Sequence, residues 1–171
     1  IVPEDRSQLY GRTVRLHVAI FSSTNPHPAP DPVIHLIGGP GGSALANARW
    51  ILMRGGTEIL AQRDYILFDQ RGTQYSNPFL YCPSYDEYLW DARELDLSLA
   101  DYNAGALSSL HACLQDWRSQ GINLAAYNNA ENAADVNDLR LALGYEQVNL
   151  YGISYGSRLA LEVMAHYPLG I

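Results

Sequence analysis

The chain has 171 residues, 47% of them hydrophobic and 17% charged, and carries a net charge of −7 at pH 7. An acidic balance supplies no basic face for nucleic acid, and no apolar run approaches the ~20 residues that span a bilayer. The hydrophobic fraction suffices for a sizeable core in one domain, and neither an internal repeat nor a low-complexity segment interrupts the sequence.

Ile1-Val2-Pro3-Glu4-Asp5-Arg6 begins inside a strand-like run, with no initiator Met and no signal peptide. Thr13 to Ile20 alternates, with Val14, Leu16, Val18 and Ile20 on one face, which predicts a half-buried strand. Asn25 to Pro32 is a Pro-rich turn. Val33-Ile34-His35-Leu36-Ile37 reads as a buried strand and runs directly into Gly38-Gly39-Pro40-Gly41-Gly42-Ser43. Ala44 to Met53 reads as a helix broken at Gly55-Gly56, and Tyr65 to Phe68 as the next strand. Residues 75–127 exceed a minimal β–α crossover and are expected to form an inserted excursion. Within it Leu107, Leu110, Leu114 and Trp117 recur at helical spacing. Tyr75, Tyr81, Tyr85, Tyr88, Trp90 and Tyr102 cluster there too; we read them as packing of the insertion rather than as a rim at a substrate mouth.

Asn128 with Glu131 marks a capping-box-like helix start, and Gly144 its end. Val148-Asn149-Leu150-Tyr151 is a strand, and Arg158 to Ala165 a helix stopped by Pro168 and Gly170. Continuous apolar strands alternating with helices predict an α/β fold, a mostly parallel sheet with helices on both faces.

Between that last strand and helix stands Gly152-Ile153-Ser154-Tyr155-Gly156. This is G-x-S-x-G, the sequence form of a nucleophile elbow, a tight strand-to-helix turn that lifts a serine hydroxyl clear of a sheet. Gly152 and Gly156 have a steric task, because so sharp a turn brings two backbones close. A serine hydroxyl is a weak nucleophile alone and needs a base beside it. Acyl transfer also needs N–H donors aimed at the developing oxyanion. In G-x-S-x-G hydrolases one donor is the residue after the nucleophile and the other lies in the loop after the third strand. Here those are Tyr155 and a glycine of the 38–42 run; Pro40 has no N–H, and Gly39 is the choice. The run is not a phosphate loop, since that motif needs a lysine and all eleven basic residues are arginine. Neither a cofactor nor a metal is indicated, and Cys82 and Cys113 lack the C-x-x-C spacing of zinc or redox sites.

The strand–GGPGGS loop, Asp69-Gln70-Arg71-Gly72, the segment Ala134 to Arg140 and Gly-Ile-Ser-Tyr-Gly-Ser follow one another in an order that resembles the proline iminopeptidases and tripeptidyl aminopeptidases of the α/β-hydrolase superfamily. The resemblance covers essentially the whole chain. It implies cleavage of residues or short peptides from free N-termini by a Ser-Asp-His triad, with Ser154 as nucleophile and Gly39 and Tyr155 as oxyanion donors. Asp69 and Arg71 match the DQRG loop and are read as structural, an ion pair bracing the loop beside the site; a catalytic role for Asp69 is the alternative. Exported relatives carry cysteines in this region, which implies a Cys82–Cys113 disulfide and a secreted or periplasmic protein; free thiols in a cytoplasmic protein are the alternative.

In such hydrolases the triad runs Ser, acid, His along the chain, yet only seventeen residues follow Ser154. His17, His27, His35, His111 and His166 each read as surface or core residues. The chain is therefore expected to be residues 1–171 of one catalytic domain, cut after the elbow helix, lacking the C-terminal strands and cap, and inactive alone. The remaining part of the protein, or a second chain, would complete the sheet. The expected substrate is a peptide; a carboxylic-ester hydrolase of the same site chemistry and a non-catalytic binding chain are the alternatives.

Overall fold

The computed structural model describes residues 1–8 and 10–171. The described residues divide into two compact units, one of residues 1–79 and 126–171, the other of residues 80–125.

The first unit is built on a four-stranded sheet of β3 (Val18–Phe21), β5 (Tyr65–Phe68), β4 (Val33–Leu36) and β6 (Asn149–Gly152), in that spatial order. β4 lies parallel to both β5 and β6, with Val33 opposite Tyr65 and Asn149, while β3 runs antiparallel to β5. Every residue of β4 and β5 is buried, as strands covered on both faces require, and their side chains are apolar apart from His35 and the Tyr65 hydroxyl, which bond each other. Side-chain alternation sorts them into two cores. Ile34, Leu36, Ile66 and Phe68 pack with Val136 and Leu139 of α5 (Asn129–Ala142) and Leu159 and Val163 of α6 (Tyr155–His166). Val33, Tyr65 and Leu67 point the other way, against Ile51 of α1 (Ala48–Ile51) and Ile59 and Leu60 of α2 (Thr57–Leu60). No helix among the described residues is long and apolar enough to cross a membrane.

Three expectations change in detail. The strand expected over Thr13–Ile20 is two strands: β2 (Thr13–Val14) pairs with β1 (Val2–Pro3), and β3 joins the main sheet. Arg15 bonds Asn77 in both directions, at 2.8 and 2.9 Å, and turns the chain between them. Because β3 is the sheet's outer strand, Val18 and Ile20 are 37% and 47% exposed rather than inward. The helix expected from Ala44 begins at Ala48, and Gly55 kinks it without ending it, taking φ 103° before the chain resumes as α2.

Asn128 caps α5 by accepting the Glu131 N–H at 2.9 Å. The Glu131 carboxylate accepts from the Arg6 N–H and guanidinium. Gly144 follows the helix with φ 79°, a backbone region that side chains resist.

The second unit is a helix pair, α3 (Pro83–Asp91) and α4 (Leu99–Ser119). A disulfide joins Cys82 to Cys113 with the Cα atoms 5.6 Å apart. Tyr88 donates to the Tyr102 carbonyl at 2.8 Å, and a Cβ at Gly105 would fall 2.3 Å from the Tyr88 ring. So Tyr88 and Tyr102 are packing residues, whereas Tyr81 and Trp90 are 48% and 67% exposed. Leu107 of the expected apolar stripe also faces outward.

Candidate active site

Ser154 sits in the two-residue turn between β6 and α6, exposed, with φ 54° and ψ −119°. It is the only non-glycine residue among those described that has a positive φ. Such a conformation costs a side-chain-bearing residue about 1–3 kcal/mol and persists only where its surroundings impose it. Here they do. The Ile153 N–H donates to the Leu36 carbonyl at 3.1 Å, the Gly156 N–H to Ile153 at 2.8 Å, and the Ser157 hydroxyl to Gly152 at 3.0 Å.

The two glycines of the turn have no room for a side chain. A Cβ on Gly152 would stand 2.6 Å from the Gly156 carbonyl oxygen, and one on Gly156 only 1.8 Å from that of Leu36. The helix is thus seated directly on the neighbouring strand.

The glycine loop after β4 comes to the same place. A Cβ on Gly38 would meet the Ile153 carbonyl oxygen at 2.7 Å and the Ser154 Cβ at 2.8 Å. The loop then folds on itself, the Gly42 N–H donating to the Gly39 carbonyl at 2.6 Å. Gly39 and Gly41 take φ 59° and 98°. Open space surrounds the position a Gly39 Cβ would occupy. Tyr155 is the first residue of α6, where backbone N–H groups have no acceptor within the helix. Its hydroxyl donates to Asn129 Oδ1 at 2.8 Å, tying the elbow to the start of α5.

Asp69 and Arg71 do not pair with each other. The fully buried Asp69 carboxylate accepts from the Ser43 hydroxyl at 2.9 and 2.8 Å, from the Leu45 N–H at 3.1 Å and from the Tyr75 N–H at 3.1 Å. The guanidinium of Arg71 instead forks onto Asp135 at 2.8 and 2.7 Å and donates to the carbonyls of Pro3, Glu4 and Ala126. Arg6 also bonds Glu131, Asp135 and Asp138, so α5 presents an acidic cluster that two guanidinium groups share. Neutral donors are left to serve Asp69.

None of the five histidines hydrogen-bonds Ser154 among the described residues. His35 is buried, its Nδ1 2.6 Å from the Tyr65 hydroxyl, and burial lowers its pKa to about 4. His166 pairs with Glu162 at 3.1 Å one turn along α6. His17, His27 and His111 are exposed. No group of His, Cys, Asp or Glu arranged to hold a metal occurs among the described residues.

Sequence reasoning did not give Ser43, Asn129 or Asp135 a place beside these residues. Ser43 ends the glycine run and Asp135 lies in the segment shared with the resembling families, but neither position carries a local signature of its partner. Partners 26 and 64 residues away become neighbours only once the chain is folded.

A family model described as the alpha/beta hydrolase fold matches residues 31–171. Tripeptidyl aminopeptidases of Streptomyces coelicolor and Streptomyces lividans are each 28% identical over 172 residues, which is 98% of this chain and 32% of theirs. The chain thus spans about a third of the length of the curated relatives it matches. Among solved structures, a proline iminopeptidase of Mycobacterium smegmatis superposes with a TM-score of 0.51 at 20% identity, over 91% of this chain and 37% of its own. An alpha/beta hydrolase enzyme from a Medee basin deep-sea metagenome superposes with a TM-score of 0.52 at 16% identity, over 91% of this chain and 38% of its own. The sheet order, the strand–serine–helix turn and the matched 141 of 171 residues agree: the chain belongs to the alpha/beta hydrolase fold family.

Proposed function

We propose that the protein carrying this chain is a serine hydrolase of aminopeptidase type, with Ser154 as its nucleophile. A histidine outside these 171 residues takes the Ser154 proton as the oxygen attacks the carbonyl carbon of the substrate. The N–H groups of Gly39 and Tyr155 hold the oxyanion. The leaving amine departs with the proton, and water then releases the acyl group from the serine. The observation that carries this reading is the approach of the glycine loop to the serine, so close that a Cβ added to Gly38 would fall 2.8 Å from that of Ser154. The 28% identity with two tripeptidyl aminopeptidases supports a short peptide with a free N-terminus as substrate. The Cys82–Cys113 disulfide supports a secreted or periplasmic protein. Residues 75–127 are an insertion in the one catalytic domain, and the 171 residues alone turn over nothing, because Ser154 lacks a base.

A fluorophosphonate probe tests the nucleophile: it labels the full-length protein and not Ser154→Ala. Equal labelling of both rejects the assignment. Faster turnover of p-nitrophenyl esters than of tripeptidyl anilides rejects the peptidase reading and leaves an esterase.

A further inference from the structure

The glycine loop cannot hold itself in place. Gly39 and Gly41 have positive φ, and glycine loses more conformational freedom on ordering than any other residue. A loop with four glycines around Pro40 is therefore free to wander unless something outside it fixes its ends. Its first end is fixed by β4, through Gly38 against Ile153 and Ser154. Its far end is Ser43, and Ser43 is buried on Asp69.

We infer that Asp69 is a positioning residue, the anchor that sets the oxyanion loop against Ser154. This inference rests on the reading of Ser154 as nucleophile and goes beyond it. The chain of contacts is short. The Ser43 hydroxyl donates to both Asp69 oxygens, at 2.9 and 2.8 Å, and at the same time accepts the Ala46 N–H at 2.9 Å. The Leu45 N–H donates to Asp69 at 3.1 Å, so two of the three residues that follow Gly42 are tied to one carboxylate. Gly42 in turn bonds Gly39 at 2.6 Å, and a Cβ on Gly42 would lie 2.5 Å from the Gly38 carbonyl oxygen, so no slack separates the anchor from the loop.

Asp69 is itself immobile. Its N–H donates to the His17 carbonyl at 3.0 Å, its own carbonyl accepts the Ser76 hydroxyl at 2.8 Å, and its second carboxylate oxygen accepts the Tyr75 N–H. It stands at the end of β5, the strand flanking β4, so the anchor and the loop's origin share one rigid sheet. Among the described residues none of the hydrogen bonds of its carboxylate goes to Arg71, so an ion pair with that neighbour is not what the acid serves here. A carboxylate fits the position because it is the side chain that accepts several bonds and donates none.

If the anchor acts through the oxyanion loop, its loss weakens the transition state and spares substrate binding. The test uses the full-length protein with Ser43→Ala and Asp69→Asn beside Ser154→Ala. Ser43→Ala leaves the Asp69 carboxylate charged and removes only its link to the loop. Asp69→Asn turns an amide donor toward one or more of the three groups that donate. Expected for Ser43→Ala is a kcat lower by about 10- to 100-fold, as a misplaced reacting geometry costs, with KM within about twofold. The affinity for a peptide boronic acid, which becomes tetrahedral on the serine, should fall in step with kcat, while that for an unreactive peptide stays. Asp69→Asn should be worse in the same direction; if it does not fold, Ser43→Ala decides. A folded Ser43→Ala with wild-type kcat and boronate affinity overturns the inference, as does a loss confined to KM. A dead Ser154→Ala beside it shows that the anchor alone has failed; full turnover by Ser154→Ala overturns the nucleophile and the anchor together.

Discussion

Gly38 and Ser154 lie so close that one methyl group added to the glycine would fall 2.8 Å from the Cβ of the serine. Contacts of that length do not occur between unbonded carbons, so one backbone must retreat. The three glycines near the serine therefore differ in what they tolerate. Gly156→Ala meets the Leu36 carbonyl oxygen at 1.8 Å, inside the sheet, and should prevent folding. Gly38→Ala should fold with a displaced elbow, a lower Tm and little probe labelling. Gly39→Ala finds open space and pays only for its φ of 59°, about 1–3 kcal/mol. Soluble yield, thermal unfolding and fluorophosphonate labelling of the three variants check the order.

Arg71 and Asp135 form a fully buried pair, 0% exposed on both sides. Removing one member costs the other its two-pronged partner, while Asp135 keeps Arg6 at 2.8 Å and Arg71 keeps Glu131 at 3.4 Å. Arg71→Met and Asp135→Leu should each destabilise, by at most about 3–5 kcal/mol because the remaining charge keeps a second partner, and the double variant by less than their sum. Arg71→Lys keeps the charge and loses the two-pronged fit to Asp135 as well as the bonds to backbone carbonyls, so it should not rescue. Urea unfolding of the four variants is the measurement.

His35 makes stability fall in mild acid. Burial lowers its folded pKa to about 4, below the ~6.5 of an unfolded histidine. Below pH 6.5 the unfolded chain takes up a proton that the folded one refuses. The contribution is therefore whole above pH 6.5 and declines as pH falls toward 4, by at most on the order of 3 kcal/mol. His35→Phe should flatten the slope of Tm against pH in that window. An unchanged slope would place the acid sensitivity elsewhere.

The Cys82–Cys113 bridge closes a loop with a sequence separation of 31. Its removal in the Cys82→Ser, Cys113→Ser variant should cost about 3–4 kcal/mol in the chain-entropy model. The loss should be local to residues 80–125, seen as faster amide exchange in α3 and α4 with α5 and α6 unchanged. Mass spectrometry of alkylated, non-reduced protein should find both thiols blocked before alkylation.

What was legible in the sequence is what local pattern encodes. The largely apolar runs Val33–Ile37 and Tyr65–Phe68 gave strands, the first ending one residue early at Leu36 and the second with its expected bounds, because a strand buried on both faces carries few polar positions to confuse the reading. The G-x-S-x-G spacing placed Ser154 at a strand–helix junction, because only glycine fits where Gly156 meets Leu36. The split of Thr13–Ile20 was not legible, because the alternation of β2 and β3 continues through Arg15, and only the distant Asn77 divides them. The partner of Arg71 was hidden for a similar reason: Asp69 is two residues away in sequence and Asp135 sixty-four, yet helix α5 brings the farther one within 2.7 Å.

The left-handed twist of the Ser154 backbone sets the protein's durability against its chemistry. With φ at 54°, this position is one where glycine would be more comfortable than serine. Ser154→Gly should therefore raise the melting temperature, and on the role proposed for Ser154 it should abolish turnover at the same time. A laboratory selection for heat resistance alone would drift toward that change, and only a selection that also demands turnover would keep the serine.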